Sequence, residues 1–306
     1  MISQTIPWRF LLILVGVIAL FAASYFVRQL AQPRADNATT TNSFHRIIAL
    51  SPSAVEIIYQ LGIEEDLVGV SRFCKHPPEA SEKPVVGGYL DLDFEAVLRL
   101  KPDCVILLNE QHQIAERLEQ LGIKTISVDH ASTRGITDSI TAFGAAFDRK
   151  EKAQALISNI NSRVEKVTQR AKNLPTRPRV LVCIDRDTNS SQPDRVIAAG
   201  NAGVHQEYIT LAGGVNAYQG SVAYPVVSRE KLIELDPDII IDLIQPDVWN
   251  KLGEAKLFSQ WAAYSELKAV QNQRIIFVHE NKHIIPGPRF TDTLDIFASA
   301  IQADTP

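Results

Sequence analysis

The sequence predicts an α/β protein of two Rossmann-like lobes joined by a single long helix, with a ligand cleft between the lobes. Three observations predict it. The first is a repeat: Glu95-Ala-Val-Leu-Arg-Leu-Lys-Pro102-Asp103-Cys-Val-Ile in one half is echoed by Glu230-Lys-Leu-Ile-Glu-Leu-Asp-Pro237-Asp238-Ile-Ile-Ile in the other. Each copy reads as a short amphipathic helix stopped by a proline, then a Pro-Asp turn into a buried strand. The second is strand–helix alternation from Arg46 onward, the pattern of a mainly parallel sheet covered by helices. The third is the run from Lys150 to Asn173, which lacks glycine and proline. As a helix it would span ~35 Å, enough to run along a small domain and connect two lobes.

The elements follow in order. Ile47 to Leu50 is a strand, and Ser51-Pro52-Ser53 leads into a helix with Ser53 as N-cap and Glu56 as its capping-box partner, ending at Leu61-Gly62. Leu67 to Val70 is the next strand, followed by the loop Arg72-Phe73-Cys74-Lys75-His76-Pro77-Pro78. Val85 to Tyr89 leads into the first repeat, whose strand is Cys104 to Leu108. A helix over His112 to Leu121 stops at Gly122, and Thr125 to Val128 is another strand. The pattern stays helical from Ile136 to Leu174, with a break at Asp148. In the second half, strands are expected at Val180 to Ile184 and Ile275 to Val278. Helices are expected from Gly203 to Leu211 and after Pro286-Gly287-Pro288-Arg289.

The bulk properties of the 306 residues exclude little. Hydrophobic content of 45%, charge of 22% and a net charge of −4 are ordinary, and no basic stripe points to nucleic acid. The N-terminus says more. Phe10 to Val27 is an uncharged apolar run bracketed by Arg9 and Arg28, long enough to cross a bilayer and slightly long for a signal peptide. Residues 1–28 are therefore read as a transmembrane anchor or signal segment, with the following chain exported. No cysteine follows the run, which argues against a bacterial lipoprotein anchor. Residues 29–44 are polar and read as a flexible linker, and the remainder, 45–304, as the binding domain. Within it the N-lobe covers about 45–148, the connecting helix 149–174 and the C-lobe 178–304. Cys104 and Cys183 sit in apolar strands and are expected to be buried, whereas Cys74 lies in a loop at a strand end.

Catalysis finds no support. There is no nucleophile elbow, phosphate loop or dinucleotide fingerprint. His76, His112, His130, His279 and His283 all fall near expected strand ends, with Cys74–His76 the pair to test for metal, but no His-Glu-x-x-His or Cys-x-x-Cys presets a site. No resident metal or cofactor is expected. Phe73, Tyr89 and Tyr224 flank strand ends in the two lobes, as the lining of a large flat ligand would.

The runs Arg46 to Ile63, Leu67 to Ser71, Pro77 to Ala80, Leu211 to Ala217, Val227 to Glu230 and Pro286 to Arg289 together resemble periplasmic substrate-binding proteins of the iron-siderophore and vitamin B12 class. The resemblance implies two α/β lobes on one rigid helix, a shallow cleft, and delivery of a corrinoid or ferric chelate to an ABC permease and its ATPase. It implies a ligand-binding set of Ser51, Pro52, Arg72, Phe73, Cys74, Tyr89, Asn109, Arg186, Tyr224 and Arg289, with Arg72 and Arg186 available to an anionic ferric chelate. Leu108 and Ile184 stand where B12-binding relatives place further aromatics. Glu95 and Glu230 match the family's paired permease-docking carboxylates. The rival readings are a receptor for a free or haem-bound metal using cleft His and Cys ligands, and an envelope enzyme.

Overall fold

A computed structural model describes residues 44–303. The apolar run Phe10–Val27 and most of the linker lie outside the described residues.

The N-lobe is built on β1 (Ile47–Ala49), β2 (Leu67–Val70), β3 (Cys104–Leu108) and β4 (Lys124–Val128). They form one sheet in the order β2-β1-β3-β4, every pair parallel. Helices α1 (Pro52–Leu61), α2 (Phe94–Leu100), α3 (His112–Gln120) and α4 (Thr133–Ala146) cover it. The polypeptide then turns at Asp148, in the left-handed region at φ 53°, into the 22-residue helix α5 (Lys150–Ala171). The long connector is thus as the sequence predicts. Its buried residues, Ala153, Ile160 and Val167, recur every seven positions and form a narrow stripe. Gly144 on α4 lets α5 approach, since a Cβ there would lie 2.5 Å from that of Ala153.

The C-lobe departs from expectation. Strands β5 (Arg179–Arg186), β6 (Arg195–Ala198), β7 (Val215–Asn216), β8 (Val226–Ser228), β9 (Ile239–Leu243) and β10 (Ile275–Val278) form a mixed sheet, β10-β9-β5-β6-β8, with β7 beside β5. β6 is antiparallel to both β5 and β8, so the mainly parallel reading holds for the N-lobe sheet and for β5, β7, β9 and β10. Helices α6 (Val204–Leu211), α7 (Arg229–Leu235), α8 (Pro246–Trp261), α9 (Lys268–Gln271), α10 (Asn281–Ile284) and α11 (Phe290–Gln302) complete it. Arg163 of α5 bridges Asp292 (2.7 Å) and Asp295 (2.5 Å) of α11.

One apolar core runs under both lobes and the connector, from Ile47, Ala54 and Ile106 through Phe143, Ala153 and Val167 to Tyr208, Ile239 and Phe297. Each lobe adds a second cluster on the far face of its sheet, around Ile48, Val97 and Val105 in one and Leu181, Leu232 and Ile240 in the other.

Candidate ligand-binding cleft

In a parallel sheet ligands gather at the carboxyl ends of strands, where the order reverses. In the N-lobe that reversal lies between β1 and β3, and the loops leaving β1, β2 and β3 carry Ser51, Pro52, Arg72, Phe73, Cys74 and Asn109. A cleft of about 540 Å³ opens there between the lobes. The N-lobe lines it with Pro52, Glu56, Arg72, Phe73, Lys75 and His76, and the C-lobe with Gln245, residues 280–282 and 284–285, and Arg289. Phe73 is 51% exposed, a large ring offered to solvent rather than to the core. Four cations face two carboxylates across this space. Arg72 is held by Asp91 at 2.6 Å and Lys282 by Glu280 at 2.8 Å.

The cleft floor is an ion pair that sequence reading missed. Arg289 donates from Nε (2.9 Å) and Nη2 (2.5 Å) to the two oxygens of Glu56, joining the C-lobe to α1 of the N-lobe. Glu56 is 4% exposed, and the guanidinium satisfies both of its oxygens there. The expected capping box is therefore corrected: Pro52, which lacks an N–H, occupies the first turn of α1, and Ser51 is the N-cap, accepting from Ala54 N at 3.1 Å. Ser51 is buried in that role. Its hydroxyl reaches Ser53 (2.9 Å), which reaches His130 Nδ1 (2.5 Å). Burial pushes the His130 pKa down to about 4. A second seam has Thr133 N and Oγ1 both donating to Glu207 Oε2 at 2.9 and 2.6 Å.

Three expected ligand residues face the core instead: Ser51, as the helix cap, Arg186 and Cys74. Arg186 ends β5, but its guanidinium turns inward onto Asp242 (2.9 Å) and Gln260 (2.7 Å), where its side chain is 1% exposed. The Cys74 thiol is buried against Ser71 and Ala49, so it does not meet His76, which lines the cleft. Among the described residues no group of three His, Cys, Asp or Glu is placed to hold a metal. Ile184 and Leu108 pack on the core. Cys104 and Cys183 are buried in β3 and β5, as their strand positions predict.

Tyr89 and Tyr224 are exposed but do not line the 540 Å³ cleft. Gln111 Nε2 donates to the Tyr89 carbonyl at 2.7 Å, which holds the Tyr89 loop beside the exposed Asn109. A Cβ placed on Gly203 would lie 3.9 Å from both the Tyr224 hydroxyl and the Ala131 carbonyl of the N-lobe. The sequence carries an unread signal here. Tyr89 stands six positions before Glu95, and Tyr224 six before Glu230.

Glu95 and Glu230 are exposed at the second position of α2 and α7, capped by Asp93 and Ser228. In a parallel α/β unit, a helix running back against its following strand starts at the carboxyl edge of the sheet. Both glutamates therefore sit on the cleft side of their lobes. The Glu230 carboxyl is held below its usual range by its own backbone N–H and the Ser228 hydroxyl, which lies 2.8 Å away.

Comparison with known proteins agrees with this architecture. A family model described as periplasmic binding protein matches residues 47–281. A vitamin B12-binding protein from Vibrio cholerae is 30% identical over 255 residues, covering 82% of this chain and 86% of that protein. The solved structure of the periplasmic vitamin B12 binding protein of Vibrio cholerae superposes with a TM-score of 0.72 at 25% identity, over 85% of this chain and 97% of that one. A periplasmic haem-binding protein solved with two haems gives 0.73 at 23% identity, over 85% and 98% of the two chains, a likeness of fold. With two lobes on one long helix, a cleft at their strand ends and a family match across both, the chain belongs to the periplasmic binding protein family.

Proposed function

We propose that this protein is the extracytoplasmic solute-binding component of an ABC importer, capturing a corrinoid or a ferric or haem-type chelate and handing it to a permease and its ATPase. The observation that carries the reading is the interlobe cleft with an exposed Phe73 and with cations from both lobes on its walls, which suits a flat macrocycle with polar or anionic edges. The relatives named for vitamin B12 and haem support the same ligand class. Phe73 is its aromatic contact within the cleft, with Pro52, Arg72 and Arg289 around it, and the exposed Tyr89, Asn109 and Tyr224 meet the parts of a large ligand that extend beyond that space. Glu95 and Glu230 dock the permease. The apolar run at Phe10–Val27 holds the protein on the outer side of the cytoplasmic membrane, and among the described residues no helix is long and apolar enough to cross a membrane.

Calorimetry with cobalamin, cobinamide, haem and ferric siderophores tests the reading. One of them binds, and Phe73→Ala weakens it about tenfold, the contribution of one desolvated ring. Silence from the whole panel, with stoichiometric zinc or manganese in the purified protein, would replace the reading with a free-metal receptor. Carbonate extraction of native membranes tests the anchor, which fails if the protein is released with a processed N-terminus.

A further inference from the structure

The repeat shares more than its glutamates. From the start of α2 and α7 to the strand that follows, Val97 and Leu232 are buried at one register position, and Leu100 and Leu235 pack on the core at another. These satisfy the inward face of each helix. Leu98 and Ile233 occupy the position between, and they are 46% and 37% exposed. Each lies three residues beyond its glutamate, on the same side of its helix. The positions around them diverge: Ala96, packed on the core, answers to Lys231, and the exposed Arg99 answers to Glu234. An exposed aliphatic residue is unremarkable singly, but here it recurs beside the same carboxylate in both lobes while its neighbours change.

We infer that Leu98 and Ile233 are apolar anchors of the docking surface, so that each lobe presents a carboxylate and an aliphatic side chain as a pair. This inference rests on the importer reading of the preceding section. The occupant is the permease: one acidic point per lobe at one register calls for one cation in each half of a two-fold partner, and an apolar pocket beside each cation receives Leu98 or Ile233. The carboxylates steer the approach, and the aliphatic groups hold the complex once water is expelled.

The test uses the full chain and the corrinoid-, haem- and siderophore-type permease–ATPase complexes of the source cell in nanodiscs, read by association kinetics and ATPase stimulation. Leu98→Gln with Ile233→Gln keeps helix propensity, and a thermal melt confirms folding. Affinity for the permease should fall about a hundredfold, roughly tenfold per lobe, through faster dissociation that is insensitive to salt, with ligand affinity unchanged. Glu95→Gln with Glu230→Gln should instead slow association in a salt-dependent way. If the aliphatic variant docks within twofold of the native protein while the glutamate variant fails, the anchors are refuted and the importer reading stands. If the native protein stimulates none of these complexes, the importer reading itself falls.

Discussion

The two lobes are built by the same device and finished differently. In the N-lobe the Asp103 carboxylate accepts from the N–H groups of His45 (2.8 Å) and Arg46 (3.2 Å), while the Arg46 guanidinium donates to the Leu100 and Lys101 carbonyls that end α2. In the C-lobe Asp238 accepts from Arg179 N (2.7 Å), and the Arg179 guanidinium donates to Leu235 at the end of α7. Both helices end in a left-handed residue, Lys101 or Asp236, before Pro-Asp. One position in the following strands then separates the lobes. Leu107 of β3 is a core residue, whereas Asp242 of β9 holds the same register and is paired with Arg186 and Trp261 Nε1. The latch and the glutamate–aliphatic pair are duplicated, whereas Arg99 against Glu234 on the surface and Leu107 against Asp242 in the interior diverge.

That contrast can be broken most severely at the buried pair. Arg186→Ala strands the Asp242 charge and should cost ~3–5 kcal/mol in urea unfolding, whereas Arg186→Met with Asp242→Leu, restoring the N-lobe's apolar solution, should recover most of it. Acid comes next, and it acts on both lobes. His130 of the N-lobe and His205 of the C-lobe are each pushed down by burial to about 4. The unfolded chain binds these protons from about pH 6.5 downward and the folded chain does not. Stability should therefore fall as pH drops from about 6.5 to 4 and then level, by roughly 3 kcal/mol per histidine. His205→Phe should remove its share of that slope, and an unchanged slope would exclude it as the source. Glu56→Gln, which opens the interlobe pair, should cost roughly 2–3 kcal/mol, less than the Arg186 lesion because Arg289 still reaches solvent. Smallest are Asp103→Ala and Asp238→Ala, about 1–2 kcal/mol each by calorimetric melting. Unequal losses would mean that the latches are equivalent in geometry only.

The sequence makes the lobes, the connector and most strand limits legible, because each is written in a local apolar period. Leu67–Val70, Cys104–Leu108 and Ile275–Val278 fall where their runs predict. The antiparallel β6 and β8 were illegible, since three or four residues amid proline and aspartate carry no record of pairing direction. The cleft was half legible. Phe73, Pro52, Arg72 and Arg289 converge, but Glu56 finds its partner 233 residues away, a pairing that no local pattern encodes. Arg186 misled for the opposite reason: a cation at a strand end reads as solvated until Asp242 of the adjacent strand is placed beneath it.

The three cysteines have a consequence for how the chain survives export. Burial raises all three thiols, Cys104 to about 12 and Cys74 and Cys183 above their usual range. At neutral pH essentially none of the folded protein presents a thiolate, the species that attacks oxidants and disulfides. An oxidising compartment therefore has only the interval between translocation and burial in which to modify the chain. Folding speed then protects the thiols, and a slow-folding variant should accumulate misoxidised material even when its native state is sound.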